Sequence, residues 1–216
     1  MMSSYMTEEE QIEHIKKWWE KYNTWIITTL SMVLIVLSGY KYWHWHQEKI
    51  TLQASNYYEQ LMKAVAVEDE KSIKAYAHQL STEYHGTVYA DGATLALAKY
   101  YVEHGNLNQA LLLLENLTLH ASIDALKQLA ALRKARLFIA QKAYDKAQAE
   151  LQRFNYDVYG MVADELRGDI LAAQDNKPKA LVFYQKALKA TTAAGLDNPY
   201  LSVKTQALKA STAKKS

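Results

Sequence analysis

Residues 106–117 read NLNQALLLLENL, a short polar turn followed by an alanine early in an apolar run. Residues 143–154 (AYDKAQAELQRF) and 176–187 (NKPKALVFYQKA) align with this segment without gaps on Ala110, Ala147 and Ala180. The intervals between these alanines are 37 and 33 residues. Four and seven positions after them stand Leu114, Leu151, Tyr184, Leu117, Phe154 and Ala187. Because such positions share one face of a helix, we predict three amphipathic helices in a repeated setting.

A second helix is predicted before each alanine. Twelve and nine positions upstream stand Ala98, Ala135, Gly168, Tyr101, Phe138 and Leu171. The small residues twelve positions upstream allow two helices to approach closely. Between the helices lie the turns Gly105-Asn106, Lys142-Ala143 and residues 175–178, with Pro178 where a helix can begin. Each unit is therefore a predicted helix pair.

This arrangement resembles the tetratricopeptide repeat, whose period is about 34 residues. The repeats are degenerate, because the tryptophan of that motif is missing and its leucine-glycine pair is altered in every unit. A weaker unit is predicted upstream, with helices near residues 47–67 and 70–84 and with Ile73 in the alanine position. Asn198-Pro199 is predicted to start a closing helix that ends near Ala210. The fold class is therefore all-α, a short curved solenoid of helix pairs.

Composition supports a helical domain and limits its chemistry. The chain of 216 residues has only 7 glycines and 2 prolines, and it has no cysteine, which excludes disulfides and thiol catalysis. Its formal net charge is +2, made of about −2 in residues 1–21, about +4 in the last thirteen residues and a neutral body. A neutral body predicts no nucleic-acid partner. We predict that residues 211–216 form a disordered basic tail.

The uncharged stretch at residues 22–40, YNTWIITTLSMVLIVLSGY, predicts a transmembrane helix. As a helix it is roughly 28 Å long, close to the hydrocarbon thickness of a bilayer. All 5 tryptophans of the chain lie near its two ends, as in an aromatic belt. The alternatives are a buried core helix and a cleaved signal peptide. The exit, residues 39–45, lacks the small residues of a cleavage site, so an uncleaved signal-anchor is favoured.

Lys16, Lys17 and Lys21 precede the stretch, whereas Lys41 and Lys49 follow it. This weak positive-inside bias favours a cytoplasmic amino terminus. The predicted organisation is a short cytoplasmic segment at residues 1–21, a transmembrane signal-anchor at 22–43 and the repeat domain at 46–210.

No catalytic, cofactor-binding or metal-binding residues are predicted. His44 and His46 have the spacing of two metal ligands on a strand, but on a helix their side chains point apart. The carboxylates of Glu165 and Asp169 could suggest acid-base chemistry. Their place beside the contact residue Gly168 instead favours packing and local ion pairs.

A partner-binding groove is predicted on the first helices of the pairs, as in other solenoids. Positions eleven and fifteen before the alanines are expected to face it: Lys99, Arg136, Asp169, Leu95, Leu132 and Glu165. Their mixed charge and leucine content suit an extended or helical polypeptide. The alternative is an ordinary solvated surface.

Two blocks of sequence resemble the YfgM family of ancillary subunits of the bacterial Sec translocon. One runs through residues 7–19 (TEEEQIEHIKKWW) to residues 39–43 (GYKYW), and the other is ADELRGDIL at residues 163–171. The resemblance implies a type II inner-membrane protein with a periplasmic repeat domain. It also implies the SecYEG translocon, periplasmic chaperones and a PpiD-like membrane-anchored prolyl isomerase as partners, beside the lipid bilayer.

Two functions are compatible with these features. The first is a membrane-anchored adaptor that passes secreted proteins from the translocon to periplasmic chaperones. The second is a homo-oligomeric scaffold or stress-response regulator. In that reading an amphipathic face near the amino terminus, including Ile12, Ile15 and Trp19, contacts a cytoplasmic response regulator.

Overall fold

The computed structural model describes residues 8–213, and in this range every element of regular structure is an α-helix. The all-α prediction is confirmed. The helices are α1 (Glu8–Ala66), α2 (Glu70–Glu83), α3 (Val88–Glu103), α4 (Leu107–His120), α5 (Asp124–Ala140), α6 (Tyr144–Gln152), α7 (Gly160–Ala173), α8 (Lys177–Ala193) and α9 (Pro199–Ala213). The chain divides into an amino-terminal unit that ends at Leu52 and a larger unit that begins at Gln53.

The amino-terminal unit contains the apolar part of α1, which is long and apolar enough to cross a membrane. Its most apolar window has a mean hydropathy of 1.4, and none of that window is buried. A core helix of a soluble protein would bury such residues. The Thr29 hydroxyl donates to the Trp25 carbonyl at 2.7 Å, and the Thr28 hydroxyl donates to the Thr24 carbonyl. Both hydroxyls are therefore satisfied by the helix backbone.

The larger unit is a series of helix pairs: the end of α1 with α2, then α3 with α4, α5 with α6 and α7 with α8, followed by α9. The predicted upstream pair is confirmed, because α1 ends at Ala66, α2 follows at Glu70–Glu83, and Ile73 is fully buried. Within the described range, α9 continues to Ala213, beyond its predicted end. Residues 1–7 of the predicted cytoplasmic segment and residues 214–216 of the predicted tail lie outside the described residues.

The turns inside the last three pairs have one geometry. The amide of the residue that precedes α4, α6 or α8 donates to the carbonyl of Tyr101, Phe138 or Leu171, each time at 2.8 Å. The residue before that amide has a positive φ of 76° at Gly105, 58° at Lys142 and 58° at Asp175. This is the left-handed helix ending that satisfies free carbonyls. It explains why the spacing between the end of the first helix and the alanine is the same in these three pairs.

The repeated alanines lie at the centre of the pairs. Ala110, Ala147 and Ala180 are fully buried, and the large residues four positions later are buried against the first helices. In the last pair Tyr184 takes that position, and a Cβ atom placed on Gly168 would lie 2.5 Å from the Tyr184 ring. The predicted close approach of the two helices at this small residue is therefore confirmed.

Candidate partner-binding surface

The first helices α3 and α5 enclose a cleft of about 200 Å³, which we call the α3–α5 cleft. Its floor is apolar and its rim is cationic. It is lined by Ala98, Lys99, Val102, Leu114, Arg133, Arg136 and Leu137. Two of the six residues predicted for the groove, Lys99 and Arg136, therefore meet at one opening, and both are exposed.

The cations of this cleft lack strong counter-charges. Lys99 pairs with Glu103 on its own helix at 3.5 Å, and both side chains are more than half exposed. Arg133 donates to the Leu95 carbonyl at 3.3 Å. Among the residues the structure describes, no carboxylate lies within ion-pair distance of Arg133 or Arg136. Burial, together with the nearby charge of Arg136, lowers the pKa of the Arg133 guanidinium from its ordinary value.

Leu95 and Leu132 do not face an open groove. Leu95 is 6% exposed and packs with Ala98, Leu114 and Ala130, whereas Leu132 is fully buried among residues of α6 and α7. The expectation that they line the groove is corrected by this burial. Each lies in a core cluster with the second helix of its own pair and the first helix of the next pair, and these neighbours cover it.

Glu165 and Asp169 stand at the equivalent positions of the last pair, where the next helix is α9. Lys204 of α9 donates to Glu165 at 2.9 Å and to Asp169 at 2.8 Å. The Tyr184 hydroxyl donates to Asp169 at 2.6 Å, and burial together with this bond raises the pKa of Tyr184 well above its usual range. Both carboxylates are thus engaged within the chain. We call this set of four side chains the α7–α9 junction.

Sequence reasoning missed a second charged cluster, which lies between α4, α5 and α6. The Lys134 side chain is 5% exposed and donates to Glu150 at 2.6 Å and to Glu115. Arg153 lies 3.4 Å from Glu115. The bond from Lys134 lowers the pKa of Glu115, against the opposing effect of burial. The signal was present in the sequence, because Lys134 replaces a leucine of the repeat motif at a core position.

The histidine pair near the apolar stretch has local partners. His44 Nδ1 lies 3.2 Å from a Glu48 carboxylate oxygen, and the His46 ring stacks on Tyr42 with centroids 6.2 Å apart. Among the side chains that the structure describes, no group of three or more His, Cys, Asp or Glu is arranged to hold a metal ion.

Comparison with known proteins places these features in a family. The profile of the tetratricopeptide repeat-like domain matches residues 16–210. A Haemophilus influenzae protein is 28% identical over 193 residues, covering 86% of this chain and 91% of the relative. An Escherichia coli protein is 26% identical over 195 residues, covering 90% and 94%. A Neisseria gonorrhoeae protein is 24% identical over 216 residues, covering 96% and 100%.

Each of these three relatives is named ancillary SecYEG translocon subunit. No solved structure matches the chain. The resemblance to the YfgM family is confirmed by these relatives, and the chain belongs to the tetratricopeptide repeat-like domain family.

Proposed function

We propose that this protein is a Sec-associated adaptor of the bacterial inner membrane. It binds other proteins and carries no chemistry of its own. The observation that carries the proposal is the α3–α5 cleft, an open, cation-rimmed surface on a repeat domain whose chain also contains an apolar, unburied span. The names of its relatives support the SecYEG translocon as the complex to which it is tethered.

In this proposal residues 22–43 are an uncleaved signal-anchor, residues 1–21 are cytoplasmic, and residues 46–210 form the periplasmic repeat domain. The repeat domain receives secreted chains from SecYEG and passes them to periplasmic chaperones, including a PpiD-like prolyl isomerase. The weak lysine bias across the span supports this orientation, because positive flanks favour the cytoplasmic side.

Site-specific photo-crosslinking in intact cells tests the proposal. One probe replaces Leu34, which is 55% exposed in the apolar span, and the other replaces the exposed Arg136 at the cleft. We expect translocon subunits at Leu34, and chaperones or nascent secreted chains at Arg136. A probe at the buried Leu132 is the matched control, since it should yield no partner adducts. Only self-adducts at Leu34 and Arg136 would contradict the adaptor function and favour a homo-oligomeric scaffold.

The second candidate function is regulation through the cytoplasmic segment. The observation that favours it is the exposure of Ile12, Ile15 and Trp19, which are 65%, 67% and 49% exposed in α1. Deletion of residues 1–20 separates the two candidates. If crosslinks at Leu34 persist while a cytoplasmic stress response changes, the segment contacts a response regulator; an unchanged response contradicts this second function.

A further inference from the structure

The size of the α3–α5 cleft limits what it can bind. At about 200 Å³ it is smaller than small-molecule sites, which occupy roughly 300–1,000 Å³. One or two side chains of a polypeptide would fill it. Val102, Leu114 and Leu137 supply an apolar floor for such side chains, and Lys99, Arg133 and Arg136 supply positive charge at the same opening.

The two arginine charges of this opening have no carboxylate partner among the described residues. Arg133 is partly buried and its bond to the Leu95 carbonyl is its one hydrogen bond among the described residues. Arg136 has no hydrogen bond or ion pair within residues 8–213, and its charge acts against that of Arg133. Two guanidinium groups held near each other at a partly desolvated site favour a carboxylate, which both can bind through planar N–H donors.

The α7–α9 junction shows which group is missing from the cleft. Arg133 follows Leu95, whose carbonyl it contacts, by 38 residues, and Lys204 follows Glu165 by 39 residues. Each cation therefore comes from a helix that follows α3 or α7, and each contacts the residue fifteen positions before the alanine of that pair. Lys204 contacts two carboxylates there, whereas Arg133 faces a leucine and the cation Lys99. The cleft therefore lacks the carboxylates that pair with the cation of the junction.

We infer that the α3–α5 cleft binds a partner polypeptide through an aspartate or glutamate side chain flanked by apolar residues. The carboxylate is bound by Arg133 and Arg136, and the apolar neighbours pack on Val102 and Leu137. Lys99 adds long-range attraction at the rim. The inference rests on the proposed adaptor function, because it specifies the class of segment that the adaptor recognises.

Fluorescence anisotropy with the full chain in phosphatidylcholine nanodiscs tests the inference. The probe is a short fluorescein-labelled peptide with one central glutamate between leucines, and its matched control has glutamine in place of the glutamate. We expect the glutamate peptide to bind at least about tenfold more tightly than the glutamine peptide. Its affinity should fall as salt concentration rises. Equal affinities would overturn the inference, and this comparison needs no protein variant.

Protein variants locate the site. Arg136→Glu should weaken binding of the glutamate peptide about tenfold and strengthen binding of a lysine-centred peptide. Lys189→Glu is the matched control, because Lys189 is exposed on α8 outside the cleft. Circular dichroism melts verify folding of each variant. Equal losses in the two variants would overturn the inference.

Competition experiments identify the class of anion that the cleft binds. If inorganic phosphate or phosphatidylglycerol nanodiscs displace the peptide as well as an excess of unlabelled peptide does, the cleft is an anion or lipid site and the inference is overturned. Failure here and failure of the adaptor function are distinguishable. Translocon crosslinks at Leu34 would persist if only the acidic-segment inference fails, and would be absent if the adaptor function fails.

Discussion

The α3–α5 cleft and the α7–α9 junction occupy equivalent places in the repeat but have opposite charge balance. In the junction, Lys204 is bound by Glu165 and Asp169, so the last pair is closed by ion pairs within the chain. In the cleft, Arg133 and Arg136 have no carboxylate partner among the described residues. Repeat position therefore does not assign a role by itself. The helix that follows decides whether a first-helix charge stabilises the fold or is available to a partner.

The largest expected effect comes from disrupting the junction at Gly168. The added Cβ of Gly168→Ala would lie 2.5 Å from Cδ1 and Cε1 of Tyr184. The ring is 4% exposed and its hydroxyl is bound to Asp169, so it has little freedom to move. We expect a loss of about 2–3 kcal/mol in the free energy of unfolding, measured by urea denaturation.

Adding Tyr184→Leu to Gly168→Ala should recover part of that loss. The α3–α4 and α5–α6 pairs already combine alanine at the contact position with leucine four residues after the repeated alanine, as in Ala135 with Leu151. The double variant therefore copies a packing that the fold accepts. If the losses of stability from Gly168→Ala and Tyr184→Leu were strictly additive, the clash between the added Cβ and the Tyr184 ring would not be the cause of the first loss.

The next effect concerns the ion pairs of the junction. Lys204→Met leaves Glu165 and Asp169 without their cation, and we expect a loss of about 1–2 kcal/mol at neutral pH. Lys189→Met on α8 is the matched control with no expected loss. A loss at Lys189 equal to that at Lys204 would argue against a special role for the junction.

The same junction predicts sensitivity to alkaline pH. Partial burial alone would lower the pKa of Lys204, but hydrogen bonds to Asp169 and Glu165 outweigh it and raise the pKa. Burial and the bond to Asp169 raise the pKa of Tyr184 as well. Because both folded pKa values exceed the unfolded ones, this stability is complete below about pH 10 and is lost as pH rises further. Urea midpoints between pH 8 and roughly 11 should fall more steeply in the wild type than in Lys204→Met.

A smaller effect is expected from a pair of substitutions at the rim of the α3–α5 cleft. Exchanging Lys99 and Glu103, as Lys99→Glu with Glu103→Lys, keeps their ion pair along α3 but places a carboxylate at the rim beside Arg133 and Arg136. We expect a gain of about 0.5–1 kcal/mol in the free energy of unfolding. Binding of the glutamate peptide should weaken in the same variant. A loss of stability would mean that the cleft cations are already balanced.

The smallest effect is expected from a substitution in a repeat turn, outside both the cleft and the junction. Lys142 has a φ of 58°, a conformation in which a side chain is strained, and Gly105 takes the same place in the preceding pair. Lys142→Gly should raise the free energy of unfolding by about 0.5 kcal/mol, because relief of strain exceeds the added entropy of the unfolded chain. Peptide affinity should not change, and thermal melts give the stability.

Local pattern was sufficient to predict the helix pairs. The alanines at 110, 147 and 180, the small contact residues and the polar turns all act within one or two helical turns of their own position. The three alanines are fully buried, and the predicted upstream pair at Ile73 is confirmed. The prediction of a membrane span at residues 22–40 likewise rests on local features, its length and its flanking aromatic residues. A bilayer requires both of these along a single helix.

The candidate surface was predicted only in part. Register placed Lys99 and Arg136 in one group with Leu95 and Leu132, but only the structure shows that the first two line one cleft and that the two leucines are buried. It also missed Arg133 and the buried Lys134, whose partners come from other helices. These contacts join residues 16 to 38 positions apart, so no local periodicity reports them.

The sequence by itself determined an all-α chain of degenerate helix pairs with an apolar span, since helical periodicity and turn chemistry are properties of neighbouring residues. Only the tertiary structure decided which equivalent charges are free. It places Lys204 of α9 within ion-pair distance of Glu165 and Asp169, and it leaves Arg136 exposed at the α3–α5 cleft. The physical reason is that the environment of a charge depends on the helix packed against it, which lies a full repeat away in the chain.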